Sequence, residues 1–143
     1  MMKLQLVLVL LLGLCLQVSS AINEAQMKAA RKLIRNTCRT KTKISDEQIE
    51  DMHKGIWNDD DDVTKCYTHC CMGIMKMQNK HGGFDRELAA KQYPQIPESM
   101  RETLVSSLEG CADSGEGLTK KCDISYAFFK CVYFSNPEEY ILP

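Results

Sequence analysis

Eight cysteines in 143 residues constrain this chain more than any other feature. One of them, Cys15, sits in an almost wholly apolar run from Leu4 to Leu16, which follows Met1-Met2-Lys3 and gives way to Gln17 and the small residues of Val18-Ser19-Ser20-Ala21. A positive start, a short apolar stretch and a small-residue site follow the order of a secretory signal peptide, and the run is shorter than the ~20 residues a membrane-spanning helix needs. Residues 1–21 are therefore expected to be removed. The remaining 22–143 is the size of one compact domain, and losing Lys3 takes the formal charge from −1 to −2. The product is expected to be secreted and extracellular, where clustered cysteines oxidise.

Seven cysteines remain, Cys38, Cys66, Cys70, Cys71, Cys111, Cys122 and Cys131, so one thiol is odd. Six cysteines allow fifteen connectivities, and spacing alone does not choose among them. Structural zinc is disfavoured because the chain has no CxxC pair. The acidic run Asp59-Asp60-Asp61-Asp62 lacks the alternating ligands and central glycine of a calcium loop, and no basic cluster suggests nucleic acid. No metal, cofactor or catalytic group is expected. Cys66 and Cys70 are one helical turn apart, so one helix can be stapled to two different partners.

Helical periodicity and caps divide 22–143 into about six segments, with no convincing alternating strand. Met27, Ala30, Ile34, Thr37 and Cys38 share a face in 24–39. Ser45-Asp46-Glu47-Gln48 is a capping box that opens a second helix carrying Ile49, Met52 and Ile56 on one side. The third should start in the aspartate run, where negative charge suits a helix N-terminus, and continue to about Asn79. After a break at Lys80-His81-Gly82-Gly83, Asp85 caps a short fourth helix that ends before Pro94. Pro97 opens a fifth with Met100, Leu104, Ser107, Leu108 and Cys111 on one stripe. Gly115 to Gly117 precede a sixth, roughly Thr119 to Phe134, which Pro137 ends.

Narrow apolar stripes on short helices make a modest core, so three cross-links of ~2–4 kcal/mol each would supply a large share of the stability. A shell held covalently can also leave an internal cavity unfilled. The spacing Cys38, 27 residues, Cys66, three, Cys70, forty, Cys111, ten, Cys122, eight, Cys131 resembles the six-cysteine signature of insect odorant-binding proteins of the pheromone-binding and general odorant-binding type. Lys65-Cys66-Tyr67-Thr68-His69-Cys70 and Phe129-Lys130-Cys131 resemble that family as well.

The resemblance implies an all-α fold of six short helices stapled by Cys38–Cys70, Cys66–Cys122 and Cys111–Cys131 around an apolar ligand cavity. Cys71 has no partner in that scheme and is expected to be a free thiol, although pairing of Cys71 rather than Cys70 with Cys38 stays open. On the third helix Thr68, Met72 and Met75 share a face, with Met77 to the side, and flexible methionine suits a wall that accommodates several apolar shapes. Ordinary core packing is the competing reading of these residues. The resemblance adds Phe84, and from the other helices Ile34, Leu104, Leu108, Ile124, Phe128 and Phe129. It also implies that Tyr140, Ile141 and Leu142 fold back as a wall, with Arg35 and Tyr67 tethering Pro143. Protonation of a carboxylate or a nearby histidine at low pH would weaken such a tether, so a pH-gated lid is the expectation drawn from these residues. His53, His69 and His81 are read first as surface histidines, and Trp57 as either a cavity rim or a helix-end anchor.

The implied function is a secreted, soluble, non-enzymatic carrier of small apolar ligands such as odorants, pheromones or fatty derivatives. A membrane olfactory receptor is a conceivable further partner, and the family admits both monomers and homodimers. Three rivals stand beside it: a non-olfactory lipid or hormone carrier of the same fold, a helical signalling factor acting through its surface, and a phospholipase A2-like enzyme. The last would want a glycine-rich calcium loop and a His-Asp pair, which His69-Cys70-Cys71 does not supply.

Overall fold

In the structure, a computed structural model, residues 23–143 are described. The expected signal segment 1–21 lies outside them. Six helices follow in order: α1 (Glu24–Thr42), α2 (Asp46–His53), α3 (Asp62–Ile74), α4 (Arg86–Ala90), α5 (Glu98–Gly110) and α6 (Lys121–Ser135), with short 3-10 turns at Tyr93–Gln95 and Pro137–Glu139. No described helix is long and apolar enough to cross a membrane.

Side chains near the chain's own turns set most helix starts. Asn23 with Gln26 and Ser45 with Gln48 form reciprocal capping boxes, which satisfy amides that a helix N-terminus leaves without partners. Asp61 accepts from the amides of Val63 and Thr64, and Asp85 accepts from that of Leu88.

Three boundaries differ from the sequence expectation. Helix α1 runs on to Thr42, where Lys43 turns left-handed at φ 64°. Helix α2 ends at His53, so Ile56 falls beyond it and is 57% exposed instead of facing the core. Helix α3 stops at Ile74, not near Asn79, because Lys76 takes φ 56° and the Met77 amide turns back to the Met72 carbonyl. The following residues then reverse direction: Gln78 pairs with Phe84 across an antiparallel bridge, and the Asp85 amide donates to the Met77 carbonyl. Gly82 sits at the tip with φ +91°, and a Cβ there would lie 2.7 Å from the Lys121 carbonyl oxygen, so both conformation and space require glycine.

That turn is pinned to α6 by buried polar groups. The Ser125 hydroxyl, fully inaccessible, donates to the Gly82 carbonyl at 2.7 Å and accepts from the Gln78 side-chain amide at 2.9 Å. The same amide lies 2.8 Å from His69 Nδ1, which must accept and therefore be unprotonated at that nitrogen.

Helix α3 is the centre of the molecule, packed most extensively on α6 and next on α1. The bridges are Cys38–Cys70, Cys66–Cys122 and Cys111–Cys131. Thus α3 is stapled to α1 through Cys70 and to the start of α6 through Cys66, as their one-turn spacing allows, and the third bridge joins the end of α5 to α6. Cys71 is free and fully buried. Neighbouring helix positions point about 100° apart, so with Cys70 turned to α1, Cys71 shares the inward face of Tyr67 one turn earlier. Tyr67, Met72, Phe128, Phe129, Val132 and Leu142 are the centre of the core.

Candidate functional site

A cavity of about 340 Å³ opens where α1, the end of α3, the Tyr93–Gln95 turn, α5 and the segment after α6 meet. Met27, Ala30 and Ile34 line it from α1, Ile74 to Met77 from the end of α3, Leu104 and Leu108 from α5, and Ile141 from the last residues. The volume falls at the lower end of the ~300–1,000 Å³ usual for small-molecule sites. Its polar rim is Arg31, Lys76, Gln92, Tyr93 and Gln95.

Of the residues singled out from sequence, Ile34, Met75, Leu104, Leu108 and Ile141 line this cavity. Thr68 and Met72 do not: both are wholly inaccessible, because the middle of α3 is enclosed by its neighbours and only its C-terminal end reaches the cavity. Phe84 stacks on Phe128 at 4.8 Å, and together with Ile124 they border a separate surface groove beside the 115–118 loop. The pinned turn after α3 is what holds Phe84 there. Phe129 is packed edge-on to Phe128 inside the core. Met27, Ala30, Arg31, Met77 and Ile96 line the cavity without having been named for it. Met27 and Ala30 lie on the same periodic stripe as Ile34 and were within reach of the sequence; nothing in the sequence marks Arg31 or the 92–96 turn.

The segment after α6 folds inward. Tyr140, Ile141, Leu142 and Pro143 are all buried, Leu142 completely. Leu142 packs in the core, whereas Tyr140 joins an aromatic cluster with His53, Trp57 and Tyr133 at centroid distances of 5.4, 6.1 and 5.1 Å. Trp57 is thus a helix-end anchor beside Tyr126, and not a residue of the cavity lining.

The tether differs from the expectation in one residue. Tyr67 donates its hydroxyl proton to the main-chain oxygen of Pro143 at 2.5 Å. The cation on the segment, however, is Arg31: its Nη2 donates to the carbonyls of Tyr140 at 3.1 Å and Leu142 at 2.9 Å. Arg35 turns away to Glu50 at 3.1 Å and Asp46 at 3.3 Å, carboxylates that α2 brings alongside α1. Their electrostatics differ accordingly. Burial holds the Arg31 guanidinium below its ordinary pKa. For Arg35 burial acts the same way, but hydrogen bonds to Glu50 and Asp46 more than offset it.

Four other groups around the segment are displaced from their usual titration ranges. Burial, assisted by Arg31, lowers His53, which faces Tyr140. Burial also raises Tyr67 and Tyr140, and pushes the Cys71 thiol up to about 12. The Tyr67 and Tyr140 phenols and the Cys71 thiol packed about the segment are therefore neutral, and Arg31 is the cation that touches it. Among the described residues no cluster of three or more His, Cys, Asp or Glu could hold a metal.

Six helices, three bridges and an apolar cavity among the described residues define the class: a disulfide-bonded helical binding protein. The sequence matches the PBP/GOBP family over residues 20–135, and the chain belongs to that family. General odorant-binding protein 19a of Drosophila melanogaster is 32% identical over 150 residues, covering 99% of this chain and all of the relative. General odorant-binding protein 72 of Anopheles gambiae is 29% identical over 119 residues, covering 82% of this chain and 97% of the relative. Among solved structures, odorant binding protein 4 of Chrysopa pallens superposes with a TM-score of 0.79 at 40% identity, covering 85% of this chain and 99% of that one. Odorant binding protein 5 of Apis mellifera gives 0.73 at 26%, covering 86% and 99%. Membership of this family makes the chain a carrier of small apolar molecules and not an enzyme.

Proposed function

We propose that this protein is secreted and carries small, largely apolar molecules of the odorant or pheromone kind in the interior cavity, with the segment Tyr140–Pro143 as the movable wall. The supporting observation is that Ile141, from that segment, lines the same cavity as Ile34, Leu104 and Leu108, so ligand exchange and segment opening share a surface. Burying a ligand there removes apolar surface from water at ~25 cal/mol per Å², and micromolar binding needs ~8 kcal/mol. The wall is released at low pH because His53, held neutral by burial and by Arg31, becomes a second cation against the segment when protonated.

The test is displacement of a fluorescent apolar probe from the oxidised protein by a panel of volatile and fatty ligands at pH 7 and pH 5. Saturable binding that weakens at pH 5 supports the carrier with a movable wall. Folded protein with three intact bridges that binds no probe at either pH refutes it and favours a factor acting through its surface.

A further inference from the structure

The cavity is bordered by two cations, Arg31 and Lys76, and by the amides of Gln92 and Gln95, with no aspartate or glutamate in its lining. In a chain of formal charge −1 this positive rim is not a product of overall composition. Arg31 is the partly buried member. Among the described residues it makes no ion pair, whereas Arg35, one turn on, makes two. Burial of a cation without a counter-charge carries a desolvation cost, in keeping with the direction of its pKa displacement. Only Nη2 is engaged, by the carbonyls of Tyr140 and Leu142. A guanidinium has five N–H donors, so those on Nε and Nη1 have no acceptor among the described residues.

From the cavity's charge and the open face of Arg31, we propose that the preferred ligand is an amphiphile with an anionic head, a fatty-acid carboxylate, whose head pairs with Arg31 while its chain lies against Ile34, Leu104, Leu108 and Ile141. This rests on the carrier reading above and adds the chemical class of the ligand. A carboxylate oxygen on Nη1 alone leaves Nη2 with the closing segment, so head-group binding and closure are compatible. A carboxylate brings a full opposite charge to the guanidinium where an ester brings only a dipole, so an acid is favoured over its ester.

Dodecanoate and methyl dodecanoate compete for a fluorescent apolar probe on the oxidised protein at pH 7, with wild type, Arg31→Gln, Arg31→Lys and Lys76→Gln compared. Loosening of the closing segment lowers affinity for both ligands together, so the ratio of acid to ester reads the head-group contact alone. The expected result is an acid preference of about tenfold or more in wild type. Arg31→Gln abolishes that preference, Arg31→Lys keeps part of it and Lys76→Gln leaves it in place; if Arg31→Gln does not fold, Arg31→Lys carries the comparison. Equal binding of acid and ester by wild type, an unchanged ratio in Arg31→Gln, or loss of the preference in Lys76→Gln alone overturns the proposal while leaving the carrier reading intact. Failure of every apolar probe and both ligands to bind wild type overturns the carrier reading and this proposal with it.

Discussion

Replacing Arg31 with alanine should free the closing segment, and replacing Arg35 should not. Arg31 makes two charge-assisted hydrogen bonds to main-chain carbonyls, at 3.1 and 2.9 Å, both partly shielded from solvent. Bonds of this kind contribute ~1.5–3 kcal/mol each when well buried. Discounted for partial exposure, the pair is worth ~2 kcal/mol, which raises the open population of the segment about thirtyfold. Arg35 instead pairs with Asp46 and Glu50, whose side chains are 57% and 50% exposed, and such surface pairs contribute ~0–1 kcal/mol. Hydrogen exchange at the Ile141 and Leu142 amides measures the opening directly. Arg31→Ala should exchange about thirty times faster there, and Arg35→Ala within about fivefold of wild type, with matching changes in probe dissociation rate. Arg35→Ala accelerating exchange as much as Arg31→Ala would refute the assignment of the tether.

Titration of His53 gives the pH dependence its sign. Its folded pKa lies below the ordinary 6.5 because of burial and Arg31, with Arg35 adding and Glu50 and the Pro143 main chain opposing. The opened or unfolded state therefore takes up the proton first. Its contribution to closure is complete above pH 6.5 and is lost as the pH falls through the folded value, and His53→Phe should flatten probe affinity between pH 7 and pH 5. The Cys71 thiol, buried and with its pKa pushed up to about 12, should resist alkylation in the folded protein and yield one equivalent after unfolding without reduction, while Cys71→Ala keeps all three bridges by mass mapping. Gly82→Ala places a Cβ 2.7 Å from the Lys121 carbonyl oxygen at φ +91°, and should cost ~1–3 kcal/mol in chemical denaturation; a wild-type midpoint would mean the turn is not held against α6.

Much of the architecture is local in origin and legible in the chain. The capping boxes at Asn23 and Ser45, the cap at Asp85 and the stripe of Leu104 and Leu108 depend on residues three or four positions apart, so sequence periodicity determines them. The cysteine spacings identified the family, and with it the connectivity, although spacing by itself left fifteen pairings open. Tertiary structure alone decided where each buried side chain faces. Thr68 and Met72 share their helical face with true lining positions, yet α3 lies at the centre of the packing and only its end, where Lys76 reverses the chain, reaches the cavity. Phe84 follows the turn held by Ser125 into a different groove. Arg31 and Arg35 are one turn apart on one helix, and no local rule separates them. The approach of Asp46 and Glu50 on α2 claims Arg35, which leaves Arg31 for the carbonyls of a segment more than a hundred residues away.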